Sequence, residues 1–319
     1  MSYKFKLSEG FQQGLHRIAD EQTQRALQCL QAEGDVHRDV HEARKTFKKL
    51  RALLSLYRDV LDEADYRDLD HGYRDIARSL AKTRESQALL DSLDLLEHRF
   101  QITGRKGRAV KLRAVLQQRL SETAGHAGLS TSTVAATIRD LASAVERIKA
   151  IRIETDDFGS ISAGIERTYR GARRWHRKAY ALEPGDIADS ETFHEWRKHL
   201  QRHWRHMQLL TPAWPHDMRQ RAQLAHKISE VIGQEHDLSA LEALLAASGR
   251  AFGSLAQASR YRSLCRELQG ELRASVQADG RRLFLENPKA FTKRVQRYWE
   301  EEARDTGVTN TPALLPEPT

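Results

Sequence analysis

Proline is scarce in this sequence: its 319 residues include seven prolines, and none precedes Pro184. Proline breaks helix interiors because it lacks an amide hydrogen and clashes with the preceding turn. A proline-free stretch rich in Ala, Leu, Arg, Gln and Glu therefore favours long helices. Sustained alternation of apolar and polar residues with β-branched enrichment, the pattern typical of strands, is also missing. We predict an all-α fold.

Cysteine and long apolar runs are scarce as well. Cys29 and Cys265 are too few and too far apart for a disulfide framework or a zinc site, and they fit a reducing compartment. The N-terminal residues lack the apolar segment of a signal peptide, and no run approaches the roughly 18 apolar residues of a membrane span. We therefore expect a cytoplasmic protein with no membrane partner.

Capping residues, glycines and prolines divide the chain into about ten predicted helices. Asp65 is expected to cap one helix, and Asn287 precedes a proline that suits the first helical position. Pro215 is expected to open a helix in the same way. The predicted helices span 8–33, 36–62, 65–101, 107–125, 130–154, 158–183, 189–211, 215–247, 252–279 and 288–304, followed by a disordered tail over 305–319.

Three short segments recur at a nearly constant offset, which predicts an internal duplication. A chain of more than about 300 residues also favours two cores over one. We therefore predict two pseudo-symmetric antiparallel helical bundles, formed by residues 1–155 and 156–304. The aligned segments are 14–17 with 164–167, 40–45 with 193–198, and 82–89 with 234–241, at offsets of 150, 153 and 152.

The net charge of +8 is concentrated on particular helix faces. A helical projection of residues 41–51 places most basic side chains opposite an apolar face. Segment 44–51 contains five basic residues and no acid, so a polyanion would offset their mutual repulsion, although a solvated basic face is the alternative. Segment 59–70 contains six acids, and we expect the two kinds of charge to be segregated.

Sequence motifs of catalysis are missing: there is no glycine-rich phosphate loop, GxSxG elbow or HExxH pair. His199, His203 and His206 could in principle face a metal ion, but His203 is predicted on the apolar side of its helix. His236-Asp237 is similar to the metal-binding dyad of helical phosphohydrolases, yet its matched position carries Arg84, which cannot bind a metal cation. We therefore expect no metal, no cofactor and no catalytic residue.

The pattern His-x-x-Arg-Lys-x-x-Lys-Lys-x-Arg at residues 41–51 resembles the signature of the CHAD family, the conserved histidine α-helical domain. A variant beginning at His194 and the dyads at 84–85 and 236–237 resemble it too. The resemblance covers roughly residues 5–304. It implies two helical bundles with a basic surface that binds inorganic polyphosphate without catalysis, and it suggests association with polyphosphate granules.

The resemblance and the basic helix faces together define the predicted polyphosphate-binding residues. The second copy is expected to contribute less than the first, because Gln201 and Trp204 stand where the first copy has basic residues. Arg205 is expected to compensate for Trp204. The predicted residues are His41, Arg44, Lys45, Lys48, Lys49, Arg51, Arg78, Lys82, Arg84, Arg167, Arg170, Arg174, His194, Arg197, Lys198, Arg202, Arg205 and His236.

Two other functions remain open from the sequence. A pI of about 9.5 and basic helices also suit a protein that binds nucleic acid, which would then compete with polyphosphate. Against this, Trp175, Trp196 and Trp204 have spacings more typical of a core than of a stacking platform. The other alternative is a metal-dependent phosphohydrolase that uses His236.

Overall fold

The protein is all-α, as the scarcity of proline predicts. In the part of the chain that the computed structural model describes, there are eleven α-helices and no strand. None of these helices combines the length and hydropathy that a membrane-spanning segment requires. The described residues are 3–32, 36–79, 82–103, 109–125, 131–181, 190–248 and 254–307. Within these ranges, only the backbone is described at residues 36–37, 79, 82–85, 122–125, 131–133 and 248.

The helices agree closely with those predicted. The predicted helix over 65–101 corresponds to α3 and α4, and the predicted tail lies outside the described residues beyond residue 307. A single 3-10 turn, Thr211–Ala213, separates α8 from α9. The helices are α1 (Phe11–Gln31), α2 (Val36–Tyr57), α3 (Glu63–Ser79), α4 (Lys82–Arg99), α5 (Val110–Gly125), α6 (Thr131–Ala150), α7 (Gly159–Ala179), α8 (Ser190–Leu209), α9 (Pro215–Ser248), α10 (Leu255–Leu283) and α11 (Pro288–Asp305).

Helix starts follow the predicted caps with one exception. Asn287 Oδ1 accepts hydrogen bonds from two backbone amides in the first turn of α11, at 3.0 and 3.5 Å, and Pro215 is the first residue of α9. The prediction of Asp65 as the cap of α3 is wrong. Asp62 caps this helix instead, because its Oδ1 accepts from the amide of Ala64 at 2.8 Å.

Buried apolar residues form two cores. The larger core joins α1, α2, α3 and α6 to α7, α8 and α11. The smaller core is built largely from leucines of α4, α5, α9 and α10, including Leu93, Leu116 and Leu241. Each core therefore contains residues from both predicted halves, and the division of the chain into two duplicated bundles stays a prediction.

The fold brings the two matching segments, 40–45 on α2 and 193–198 on α8, onto neighbouring helices. His206 helps to hold these helices together, since its Nε2 lies 2.9 Å from the Ala52 carbonyl oxygen and 3.0 Å from Ser55 Oγ. Burial lowers the pKa of His206 to about 3, so the ring is neutral. His206 therefore contributes to packing between α2 and α8.

Candidate functional site

Each of these two helices has an arginine bound to the helix that follows it. Arg44 Nη1 donates to the backbone oxygen of Ala77 on α3 at 2.7 Å, and Arg197 Nε donates to that of Ser229 on α9 at 3.2 Å. The bonds span 33 and 32 residues, so they occupy matched positions. Both arginines are half-buried and position helices in addition to carrying charge.

Several predicted cations already have a carboxylate partner, and for Lys45 and Arg51 this overturns the expectation that segment 44–51 is unpaired. Lys45 Nζ lies 2.7 Å from Glu42, one helical turn earlier. Arg51 binds both oxygens of Asp70, at 2.8 and 2.9 Å. The other pairs are Arg78 with Asp75 at 3.8 Å, Arg167 with Asp59, Arg170 with Glu166, and Lys198 with Glu195.

The acidic segment 59–70 is not segregated from the basic helices, contrary to the sequence prediction. Asp70 pairs with Arg51 of α2, and Asp59 pairs with Arg167 of α7. The chain turns sharply after α2, so α3 packs back against it and brings the acids to the basic side chains. Separation along the sequence therefore does not become separation in space.

Three basic residues of α2 and α8 are buried or half-buried without a carboxylate partner among the described residues: Lys49, Arg202 and Arg205, hereafter the unpaired cations. Arg205 is 5% exposed. Its Nη1 donates to the carbonyl oxygen of Gln201 at 2.7 Å, and its buried Nε has no hydrogen-bond partner in the described residues. Lys49 and Arg202 are half-buried. Because a buried cation without an anion costs free energy, the burial of Arg205 requires an explanation.

Lys49 and Arg205 meet near the segment that precedes α1. The Tyr3 ring lies 5.2 Å from Lys49 Nζ, and the Tyr3 hydroxyl donates to the Lys49 backbone oxygen at 2.8 Å. The Arg205 guanidinium lies 4.2 Å from the Trp204 ring. Burial lowers the pKa of Arg205 to about 10, so it remains charged at neutral pH. Burial, and then the charges of Arg25 and Arg205, lower the pKa of Lys49.

Arg202 lies on another flank of α8, towards α3 and α7, where its charge acts on Tyr66 and His199. The His199 ring packs tightly over Gly171, because a Cβ atom at that glycine would come within 2.3 Å of the ring. Burial and then Arg202 lower the pKa of His199 to about 4, with Arg174 adding to the effect. Arg202 therefore lies beside a neutral ring, and protonation of that ring would place a second cation there.

The rings of His194 on α8 and His236 on α9 lie next to each other, a contact that the sequence does not predict. Their ring centroids are 4.5 Å apart and their planes are tilted by 31°. Burial and then His236 lower the pKa of His194, and His194 Nδ1 is buried without a hydrogen-bond partner in the described residues. Lys198 and Arg197 add positive charge next to His194. This surrounding charge favours an anionic ligand.

Fewer contacts define the positions of the remaining predicted residues. His41 and Lys48 are half-buried on α2, and Arg174 is exposed on α7, with its guanidinium 5.4 Å from the Trp175 ring. Trp196 is fully buried, as predicted for a core residue, whereas Trp175 and Trp204 are half-buried. The side chains of Lys82 and Arg84 lie outside the described residues.

Tyr3, Arg25 and His199 also belong to this region, although the sequence does not assign them to it. Arg25 on α1 lies 3.7 Å from Glu42, and its charge acts on Lys49. The available signal for Arg25 is its helix, α1, which aligns with the basic helix α7 in the predicted duplication. Tyr3 precedes every predicted helix, so no pattern identifies it.

The histidines of α8 make packing contacts. His203 is 1% exposed and lies against the rings of Tyr169 and Phe291, at centroid distances of 5.6 and 5.7 Å, which confirms its predicted apolar environment. His206 contacts α2 as described above. Over the described ranges, no three His, Cys, Asp or Glu side chains are grouped closely enough to hold a metal ion.

Comparison with known proteins identifies relatives of this architecture. The sequence model of the CHAD domain family matches residues 17–246. No curated protein matches the chain. The structure is similar to that of PptA from Streptomyces chartreusis, with a TM-score of 0.56 and 16% identity over 92% of this chain and 100% of that chain. It is also similar to the CHAD domain from the plant Ricinus communis, with a TM-score of 0.49 and 16% identity over 94% of this chain and 93% of that one.

Proposed function

This chain belongs to the CHAD family, and we propose that it binds inorganic polyphosphate along α2 and α8 without chemical turnover. The family is linked to polyphosphate. The observation that carries the proposal is the set of unpaired cations: Arg205 is buried, Lys49 and Arg202 are half-buried, and none has a carboxylate partner in the described part of the chain. A polyanion at α2 and α8 would supply the missing negative charge.

Polyphosphate suits this surface for physical reasons. It is a flexible chain with about one negative charge per phosphate, so several cations along two adjacent helices contact it at once. Arg202 and Arg205 offer planar guanidiniums that hold two phosphate oxygens, whereas Lys49 acts as a mobile point charge. His194 and His236 add ring nitrogens that donate to phosphate oxygens when protonated. Binding of this kind would bring the protein to polyphosphate granules.

The test compares two triple variants that remove the same amount of charge. Lys48→Ala, Lys49→Ala and Arg202→Ala together alter the proposed site. The control replaces Lys289, Lys293 and Arg297, which are exposed on α11, with alanine. We expect the first variant to lose at least about tenfold in affinity for long-chain polyphosphate. The slope of log affinity against log salt should fall by about 2 in that variant and stay unchanged in the control.

Three results would contradict the proposal. Equal affinity of the two triple variants would show that net charge, rather than the position of the cations on α2 and α8, determines binding. Displacement of polyphosphate by an equal phosphate concentration of RNA would indicate a nucleic-acid-binding protein. Release of phosphate from polyphosphate with added divalent metal, abolished by His236→Ala, would indicate a hydrolase.

A further inference from the structure

A second basic cleft, of about 700 Å³, lies between α7 and the C-terminal end of α10. Arg173, Arg177 and Arg281 line it, together with His176, Gln277 and several apolar side chains, and none of the described lining residues is a carboxylate. Its volume is within the range of small-molecule sites, about 300–1,000 Å³. A concave surface with three guanidiniums and no acid among the described residues is suited to an anionic ligand.

This cleft faces away from the polyphosphate surface proposed above. On α7, Arg167 and Arg174 point towards Asp59 and His199, on the side of α2, α3 and α8. Arg173, by contrast, donates from Nη2 to the Leu285 backbone oxygen at 3.3 Å, on the side of α10. One helix therefore presents arginines to two different surfaces.

The charge of the cleft is only partly balanced by the protein. Arg177 and Arg281 are exposed and make no ion pair with a described residue. Burial is the largest cause that lowers the pKa of His176, and the charges of Arg177 and Arg281 lower it further. The partial negative charge at the C-terminal ends of α7 and α10 offsets part of this positive charge. Arg282, the next residue along, differs because it lies 3.3 Å from the Asp279 carboxylate.

Apart from His176 and Gln277, the rest of the cleft wall is largely apolar. Ala181, Ala274 and Ala278 line it with exposed methyl groups, and Leu285 is 69% exposed at its edge. Tyr180 adds an aromatic ring to the wall. An inorganic anion would use the guanidiniums alone and leave this apolar wall in water. A ligand that also carries a flat apolar group would cover the wall and gain free energy from its burial.

We propose that this cleft binds an organic phosphate of the nucleoside triphosphate type. Its phosphates would contact Arg177 and Arg281, which can each hold two phosphate oxygens. Its ring would lie on the alanine methyl groups and Leu285. The proposal does not depend on polyphosphate binding at α2 and α8, because the two surfaces share no residue.

Titration calorimetry with ATP in the absence of divalent metal tests the proposal. Arg177→Ala with Arg281→Ala should weaken ATP binding about tenfold or more, because two charge-assisted contacts are lost. Leu285→Ser should weaken ATP binding severalfold and leave the binding of tripolyphosphate unchanged. Arg282→Ala is the matched control and should bind ATP as the wild type does. All of these side chains are exposed, so we expect unchanged thermal midpoints.

The proposal is overturned if ATP does not bind the wild type, or if the Arg177/Arg281 variant binds it equally well. An equal loss of ATP and tripolyphosphate binding in Leu285→Ser would also overturn it, since the apolar wall would then not recognise the ring. The Lys48/Lys49/Arg202 variant should retain ATP binding. Loss of ATP binding there would assign the nucleotide to the polyphosphate surface instead.

Discussion

Two arginines of this protein are shielded over aromatic rings, and they differ in what balances their charge. Arg273 of α10 lies 4.6 Å from the Phe193 ring, and its Nε donates to Glu235 Oε1 at 3.2 Å. The Glu235 side chain is fully buried. Arg205 of α8 lies 4.2 Å from the Trp204 ring and has no carboxylate partner in the described residues.

The difference separates charges that hold the fold together from charges that a ligand can use. In the Arg273–Glu235 pair each charge compensates the other, so removing one partner leaves a buried charge alone. Arg205 has no carboxylate partner in the described residues, and its burial costs stability that a bound anion would offset. Mutations at the two positions should therefore change stability in opposite directions.

The largest expected effect is the loss of the paired arginine. Arg273→Met should lower the free energy of unfolding by about 3–5 kcal/mol, because Glu235 stays buried without its cation. Urea denaturation monitored by circular dichroism measures this change. Replacing both partners, Arg273→Met with Glu235→Leu, should restore much of the loss. A single variant as stable as the wild type would mean that the pair does not stabilise the fold.

Acidification should have the next largest effect, and it acts on α8. Burial holds the pKa of His199 at about 4 and that of His206 at about 3 in the folded protein. In the unfolded chain a histidine titrates near pH 6.5, so below that pH the unfolded state binds more protons. The two histidines therefore cost no stability above pH 6.5. As the pH falls towards 4, the free energy of unfolding decreases by about 1.4 kcal/mol per pH unit for each histidine.

Urea denaturation at pH 7.5, 6.5 and 5.5 measures this dependence. His71, which is exposed on α3, provides the control variant His71→Gln, whose dependence on pH should match that of the wild type. Protonation would add charge to the helix that already carries the unpaired Arg205 and Arg202, which increases the contrast with the Arg273–Glu235 pair. Stability that is constant between pH 6.5 and 5.5 would show that these rings are not neutral in the folded state.

Most of the fold could be predicted from the sequence, because helix starts and ends are local. Asn287 and Pro215 act within one turn of their positions, so their roles can be identified without tertiary contacts. The cap of α3 was predicted three residues too late, since Asp62 and Asp65 both suit a cap. How the helices share their cores depends on distant contacts, which the sequence does not specify.

The sequence predicts which helices form the candidate site, but it does not predict which of their cations are paired with carboxylates. The matching segments identify α2 and α8, and helical periodicity gives the side of α2 on which the basic residues lie. The pairing of Arg51 with Asp70 depends on how α3 packs against α2, and no periodicity reveals it. The sequence grouped Arg205 with exposed cations, yet it is buried near Tyr3, which lies about 200 residues earlier in the chain.

The smallest expected change in stability is at Arg205, where the sign matters more than the size. Arg205→Met keeps a long side chain and removes the unbalanced charge. We expect the ligand-free variant to be more stable than the wild type by about 1–2 kcal/mol, because methionine is not penalised for burial. A matched exposed variant, Arg297→Met on α11, should change stability by less than about 0.5 kcal/mol.

Thermal denaturation of the wild type and Arg205→Met, each with and without long-chain polyphosphate, tests the central claim most directly. A ligand at 100 times its dissociation constant stabilises a protein by about 2.7 kcal/mol. We predict that, without polyphosphate, Arg205→Met melts at a higher temperature than the wild type. A polyphosphate concentration that saturates the wild type should raise the melting temperature of Arg205→Met by less than it raises that of the wild type. Equal increases in both proteins, or a ligand-free variant less stable than the wild type, would contradict the proposal that the unpaired cations of α2 and α8 bind polyphosphate.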